Sequence, residues 1–591
     1  MKKYLKAGFL VVSLIGAGSL PAQVEMDSLI KAQMKSASPD DLIECIVYLH
    51  QIHPDTRGLK GKASKSRTVF QQLKARADQS QKELIQWCAN RHKSWDSRWI
   101  VNAVHVELTV REINEISLLP DVEKVLSNPQ WKLTTTPSEW NATLLEERGP
   151  TGIPWGIQRI KADSLWELGY KGKGVTVGGQ DTGYDWIHPA IKNQYRGYRP
   201  GGDAVHDYNW HDAIHAINPL NGDSIPDPAN NPCGLDSNVP CDDHSHGTHT
   251  MGTMAGLAPD ELIGVAPEAS WIGCRCMERG WGSPWTYLEC FEWLLAPTDL
   301  TGENPNPDLA PSVINNSWGC PPEEGCNASN FVLLDEAVGQ LRQAGIFVVV
   351  SAGNEGSACS TVNDPAAIYA SSFTIGAIRQ DDTLAGFSSR GPVLVDGSGR
   401  LKPDLVAPGV NVRSAVLGGG YQNWNGTSMA GPHVAGGVAL LLSAVPALDG
   451  DVERIQYILE ASADPMVDPS ACGPFDGLNV PNAFYGYGIL NLSRALQLAL
   501  VTSGNGAPAE ALDWSISLAP NPVVGQLNLN WSQKINVHHI RMYDQLGGLV
   551  LSTSIDRQAN WSADLQGISA GLYYLQLLAD QGSRTIKVIR D

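Results

Sequence analysis

From Thr427 to Val445 the chain reads TSMAGPHVAGGVALLLSAV, small and apolar on every side. A helix with that pattern has no face for water and must be enclosed by other elements. Its apolar part, Val434 to Val445, falls short of the roughly 20 residues that span a bilayer, so the expectation is a helix buried in a protein core. Enclosure needs a large domain, and 591 residues allow three or four folded pieces at about 150 residues each. With 59 Gly and 37 Pro the chain is turn-rich, and it is neither a coiled coil, a collagen nor a disordered tail. The formal net charge of -19 argues against nucleic acid or anionic lipid as the main partner, because both demand a basic face. The charge is uneven: residues 1–22 are basic, 23–135 are near neutral and 136–591 are strongly acidic.

Lys2, Lys3 and Lys6 precede the apolar run Ala7 to Leu20 and then Pro21-Ala22-Gln23, the pattern of a secretory signal peptide over residues 1–22. Export implies an oxidising compartment in which cysteines pair. Cys45 and Cys88 lie early; nine more follow from Cys233 to Cys472, an odd number, so at least one thiol there is free or pairs outside. The close pairs Cys233/Cys241 and Cys320/Cys326 could each staple a loop, and no twin C-x-x-C spacing suggests zinc.

Three segments carry chemistry. In Gly174–Gly183 (GVTVGGQDTG) an apolar strand runs into Asp181 and then a turn, which puts a carboxylate at the C-terminal end of a strand, where open α/β sheets place their sites. In His244–Gly256 (HSHGTHTMGTMAG) a His is followed by small residues at helical spacing, so His246 stands at a helix N-terminus. A zinc cluster of Asp242, Asp243, His244, His246 and His249 is the rival there, disfavoured because no H-E-x-x-H pattern occurs. The third segment, Asn425–Gly436, starts the buried helix and places Ser428 where free N–H groups and the helix dipole favour the negative charge that develops in acyl transfer. Each alone also reads as a turn or cap.

In chain order the three give Asp, His, Ser, and the segments resemble the D-T-G, H-G-T-H and G-T-S-M-A signatures of the subtilisin-like serine proteases. Gly264–Pro267, Val313–Gly319, Val348–Gly356, Phe387–Pro392, Lys402–Gly409 and Tyr485–Asn491 follow in the family's order, from about Trp155 to about Leu500. Cys274 to Gly325 resembles the bacillopeptidase F-like branch. The resemblance implies a doubly wound parallel α/β sheet over residues 150–500, with Ser428 as nucleophile, His246 as general base then acid, Asp181 as its orienter and Asn354 as oxyanion donor. It also implies that Gly280, Trp281 and Gly282 form one edge and Ser317, Trp318 and Gly319 the other of a cleft to which an extended peptide adds as a strand. Ala352 to Asn363, beginning with Ala352 and Gly353, resembles the lining of the primary specificity pocket, with Asn363 where relatives often carry Gly.

The chemistry implied needs no cofactor. Structural calcium is left open in two places: the insert Arg199 to Asp243, which doubles the usual Asp-to-His spacing and equally suits a solvated loop, and Leu257 to Ile263, where relatives often have an Asn-rich calcium loop.

Upstream, Leu42–Tyr48, Asn102–Val110 and Asp121–Leu126 read as strands and Arg67–Ala89 and Arg111–Leu119 as helices, a small α+β unit within 23–135. Its end resembles the inhibitory prodomain of subtilisin-like zymogens, which implies self-cleavage between about Asn128 and Gly149; a separate adhesive module is the alternative. Downstream of a small polar linker (501–511), Gln526–Trp531, Gly571–Leu578 and Thr585–Arg590 read as strands, with a hairpin at Gly547-Gly548. This β-sandwich (512–591) is similar to the C-terminal sorting domains of the Bacteroidota type IX secretion system, a surface- or carbohydrate-binding module being the runner-up. The whole is expected to be a secreted or cell-surface monomer acting on protein or peptide substrates, with its own prodomain as inhibitor. The rival is an inactive subtilisin fold used as a surface-binding protein.

Overall fold

A computed structural model describes residues 24–128, 131–132, 152–218, 221, 231–319, 328, 330–502, 517–531, 537–544, 549–555, 560–579 and 582–590. The signal segment, Cys320 and Cys326, most of the linker, the Gly547-Gly548 turn and nearly all of the expected cleavage stretch lie outside the described residues. Contacts divide the chain into two units, residues 1–496 and 497–591.

The first unit opens with β1 (Glu25–Met26), α1 (Ser28–Ser36), β2 (Ile43–Leu49), α2 (Lys62–Ser80), α3 (Lys82–Asn90), β3 (Trp95–Arg98), β4 (Ala103–Leu108), α4 (Val110–Ile116) and β5 (Val122–Leu126). The strands form one sheet in the order β1-β5-β2-β4-β3. Strand alternation explains why β2 is apolar almost throughout: Cys45, Val47 and Leu49 face the sheet's own helices, while Ile46 and Tyr48 join the core of the next domain. The single helix expected over 67–89 is two helices. The two abut at Gln81, whose buried side chain donates to Arg98 O (2.9 Å) and Asn102 Oδ1 (3.2 Å) and so fixes the β3–β4 turn. β3 itself carries too little apolar signal to be seen in the sequence. A final two-residue strand, β6 (Trp131–Lys132), leaves this domain for the next.

The larger domain continues with α5 (Trp155–Arg159), α6 (Ala162–Glu167), β7 (Thr176–Asp181), β8 (Trp210–Asp212), α7 (His246–Ala255), β9 (Ser270–Arg275), β10 (Trp281–Gly282), α8 (Pro284–Leu295), β11 (Val313–Asn316), α9 (Val332–Gln343), β12 (Phe347–Ser351), β13 (Phe373–Ile378) and β14 (Leu405–Pro408). The antiparallel pair β15 (Val412–Val416) and β16 (Gly420–Trp424) leads into α10 (Thr427–Ala444), and α11 (Val452–Ser462), the small hairpin β17 (Ala471–Cys472) and β18 (Phe475–Asp476), and α12 (Leu492–Thr502) complete it. Seven strands form a parallel sheet ordered β14-β13-β12-β11-β7-β9-β8. This is the α/β architecture expected from the sequence. Helix α10 is buried from Thr427 through Leu442, as its composition demands. Strand β8 belongs to the Arg199–Asp243 insert, so the insert extends the sheet and is not merely a surface loop.

Disulfides join Cys233–Cys241, Cys274–Cys290 and Cys359–Cys472; Cys45, Cys88 and Cys276 are buried thiols. The second unit carries β19 (Ser517–Ala519), β20 (Gln526–Asn530), β21 (Val537–Tyr543), β22 (Leu549–Ser554), β23 (Asn560–Asp564), β24 (Gly571–Ala579) and β25 (Gly582–Arg590). They make a three-stranded sheet, β19-β20-β23, and a four-stranded one, β22-β21-β24-β25. Leu527 and Leu529 from the first meet Ile540, Met542, Leu575 and Leu577 from the second in one core.

Candidate active site

The C-terminal edge of the parallel sheet gathers the three motif segments. β7 ends on Asp181, α7 starts at His246, and α10 starts one residue before Ser428; all three side chains are buried. Asp181 Oδ1 accepts from His246 Nδ1 at 2.7 Å and from the Thr182 N–H at 2.8 Å, and Oδ2 accepts from Thr250 Oγ1 at 3.3 Å. With Nδ1 donating to the carboxylate, His246 Nε2 is left with a lone pair; it is buried and makes no hydrogen bond among the described residues. A Cβ at position 247 would stand 2.0 Å from Gly183 O, so only glycine lets α7 approach the Asp181 turn this closely.

Ser428 and His246 do not hydrogen-bond to each other. Ser428 Oγ donates to Ser317 O (3.1 Å) while Ser317 Oγ donates to Ser428 O (3.0 Å), so rotation about the Ser428 Cα–Cβ bond is needed to turn the hydroxyl toward His246. Asn354 Oδ1 accepts from both the backbone N–H and Oγ1 of Thr427 (3.0 Å each). Those two donors fix the amide's orientation, and its NH2 group is left as the donor toward the cavity at Ser428. Ser317, Trp318, Gly319 and Gly353 line the same cavity, with Ala352 buried behind them. Trp318 is a packing residue more than an open wall: it is buried and stacks on Tyr287 with ring centroids 3.6 Å apart. The sequence reading missed Asp364, a buried carboxylate lining this cavity beside Gly319, and Thr427, which carries no signal apart from its motif.

Gly280, Trp281 and Gly282 are not among the residues lining that cavity. Gly280 turns the chain at φ +88°, and β10 pairs antiparallel with β6, Trp281 opposite Lys132 and Gly282 opposite Trp131. Trp281 and Gly282 line a groove of about 740 Å³ shared with the N-terminal domain. Just beyond, Asn128 Oδ1 accepts from the Trp285 N–H (3.2 Å), Trp285 Nε1 donates to Asp96 Oδ2 (2.8 Å), and Glu292 accepts from the N–H groups of Trp99 and Ile100 (2.6 and 2.9 Å). Glu289, buried, is shared by Arg98, His211 and His215, and the Arg98 charge with the hydrogen bonds from the two imidazoles holds its carboxyl well below the usual range despite burial.

Several carboxylates of the two segments left open for calcium are engaged by protein donors. Asp242 accepts from the hydroxyls of Thr182 and Thr248 and from the N–H groups of His244, Ser245 and Thr248. Asp212 and Asp243 hold the buried Arg275, and Glu261 of the 257–263 segment forms a bidentate pair with Arg413 (2.8 and 3.2 Å). Among the described residues no group of three or more His, Cys, Asp and Glu is placed to hold a metal ion.

Two buried histidines near the site make stability fall in acid. His249 lies flat on Trp424 (4.5 Å, 1°) and His433 is sealed inside α10; burial lowers them to about 3 and about 4. Unfolding lets each take a proton at an ordinary value near 6.5, so stability is full above about pH 6.5 and declines as pH falls toward the folded values, by about 1.4 kcal/mol per pH unit per histidine. Thermal unfolding of the Ser428→Ala chain between pH 7 and 4 is expected to follow this trend; a flat profile would exclude it.

A parallel α/β sheet carrying a buried Asp–His pair and a serine at the start of a central helix defines a class, and the family comparison agrees: the Subtilase family matches residues 172–488, and the chain belongs to that family. The Secretion system C-terminal sorting domain matches residues 517–591. The chain is 35% identical over 464 residues to Bacillopeptidase F of Bacillus subtilis (strain 168), covering 76% of this chain and 29% of that protein. It is 32% identical over 348 residues to Subtilisin E of the same organism, covering 58% and 71%. The Major intracellular serine protease of that organism is 32% identical over 304 residues, covering 49% and 75%. The chain thus spans less than a third of the length of Bacillopeptidase F.

Proposed function

We propose that the protein is an exported serine endopeptidase made as a self-processing zymogen. The observation that carries this reading is His246, with Nδ1 on a buried carboxylate and Nε2 without a partner among the described residues, beside the helix that bears Ser428. In the mechanism it supports, Ser428 Oγ turns to Nε2, loses its proton to it and attacks the peptide carbonyl. Asp181 stays ionised and stabilises the imidazolium. The Asn354 amide and the Ser428 backbone N–H take the oxyanion, His246 passes its proton to the departing amine, and water then hydrolyses the acyl-enzyme by the same path. None of these steps takes a cofactor. A fluorophosphonate is expected to label Ser428 in processed protein; absence of labelling would favour the inactive surface-binding reading. Asn354→Ala is expected to lower turnover by roughly 100- to 1000-fold with little change in KM, measured on a peptide substrate.

Backbone pairing along β10 supports recognition of extended peptides with broad sequence tolerance. The chain's own β6 occupies that edge, which supports an inhibitory role for the N-terminal domain. Trp155, with Nε1 donating to Asn411 O, is already part of the catalytic domain, which supports self-cleavage upstream of it, in the stretch between about Asn128 and Gly149. The basic-then-apolar N-terminus supports Sec entry, and the sorting domain supports export by a type IX machinery to the cell surface or medium.

A further inference from the structure

The N-terminal domain grips the catalytic domain in two places. One is the face over α8 and β10, beside the C-terminal edge of the parallel sheet. The other is made by residues 50–80 at the opposite edge. Pro307–Ala310 leads into the start of β11 and Gln343–Gly345 into the start of β12, whereas Asp181, Ser317 and Ser351 stand at or just past the far ends of β7, β11 and β12. On the remote edge Lys62 Nζ donates to Ala310 O (2.5 Å), Ser66 Oγ to Pro307 O (3.2 Å) and Lys65 Nζ to Gly450 O (2.8 Å). Arg67 takes Asp308 with two N–H groups (2.5 and 2.6 Å), and Thr56 Oγ1 donates to Gln343 Oε1 (3.0 Å). Val69 and Leu73 of α2 share the core formed by α8 and α9. Gly450 fits so closely that a Cβ there would stand 2.3 Å from Lys62 N. The cations of α2 thus meet the acidic catalytic domain on a patch that no substrate edge uses.

We propose that residues 50–80 are a second clamp, anchored at the far edge of the sheet, which keeps the N-terminal domain seated after the chain is cut. Cutting beyond Lys132 then does not by itself open the cleft. Peptidase activity begins only when this patch lets go, and salt speeds the release because the Arg67–Asp308 pair is partly exposed and screened. The inference rests on the zymogen reading above.

The test follows the purified full chain in time, with the cut read by gel and mass and activity by a fluorogenic peptide. In Lys62→Ala/Lys65→Ala/Arg67→Ala the cut is expected to occur as in the native chain, while the lag between cut and activity shortens by about tenfold. Gly450→Asn, a change in the catalytic domain that tolerates the +88° φ yet pushes on the clamp's backbone, is expected to do the same if the triple variant folds poorly. Raising salt is expected to shorten the native lag and to affect the triple variant less. Lags unchanged in both variants would overturn the clamp. Cutting of Ser428→Ala at the native rate would instead sink the zymogen reading itself.

Discussion

Replacing Ser428 by alanine is expected to leave the chain folded, uncut and inactive. The hydroxyl makes one described hydrogen bond, to Ser317 O at 3.1 Å, so its removal costs only about 1 kcal/mol of stability. Its chemical role has no substitute nearby. Ser317 Oγ is tied to Ser428 O, and Thr427 Oγ1 is tied to Asn354 and Gly353 O, so neither is placed to act as a nucleophile from His246. Loss of a triad nucleophile lowers turnover by on the order of 10⁶-fold, and loss of the histidine costs about as much, because the members act as one unit. The same substitution separates self-cleavage from cleavage by another protease. Intact-mass measurement of Ser428→Ala made in a protease-free host is expected to show the segment around 133–151 still continuous. Residual peptidase activity within about a hundredfold of native would refute Ser428 as nucleophile.

The second large effect is expected at Arg275, where the cost is to stability. Its guanidinium is fully buried and holds Asp212 (3.1 Å) and Asp243 (2.5 Å), both on the insert, as well as Gly234 O (3.1 Å). Asp243 is pushed up to about 6 by burial even with that cation present, so two carboxylates depend on one arginine for their ionised state. Arg275→Met is expected to cost about 3–5 kcal/mol, the range for stranding a buried charge. The loss would be read as a lower unfolding temperature in the Ser428→Ala background, which prevents self-digestion. Adding Asp212→Asn and Asp243→Asn is expected to recover part of it, since the unpaired charges are then gone. A single variant within about 0.5 kcal/mol of its parent would show that the insert is not held to the sheet in this way.

Much of the catalytic architecture is legible because its requirements are local. Asp181 needs a strand followed at once by a turn, His246 a helix start followed by small residues, and Ser428 the N-terminus of a helix that is apolar on all sides; each is written in about ten consecutive residues. Other features carry no local signal. Gln81 looks like any helical glutamine, and only the folded chain shows its side chain holding the β3–β4 turn. Asp242 sits in a cluster that also reads as metal-binding, and five protein donors show that it organises the start of α7 instead. Trp318 lines the cavity at Ser428 and at the same time stacks on Tyr287, a contact that nothing in its own segment announces.

By itself, then, the amino-acid sequence determined the α/β class, the order of the chemical segments and the β-rich C-terminal unit, because periodicity, turn residues and small-residue helices act over one or two turns of chain. Only the tertiary structure decided which groups meet. It set β6 against β10, divided β2 between two cores, placed Arg275 between two carboxylates of the insert and carried α2 to the edge of the sheet farthest from Ser428. Those pairings join residues from tens to hundreds of positions apart, and they depend on the burial and charge complementarity of whole faces, which no short window of sequence contains.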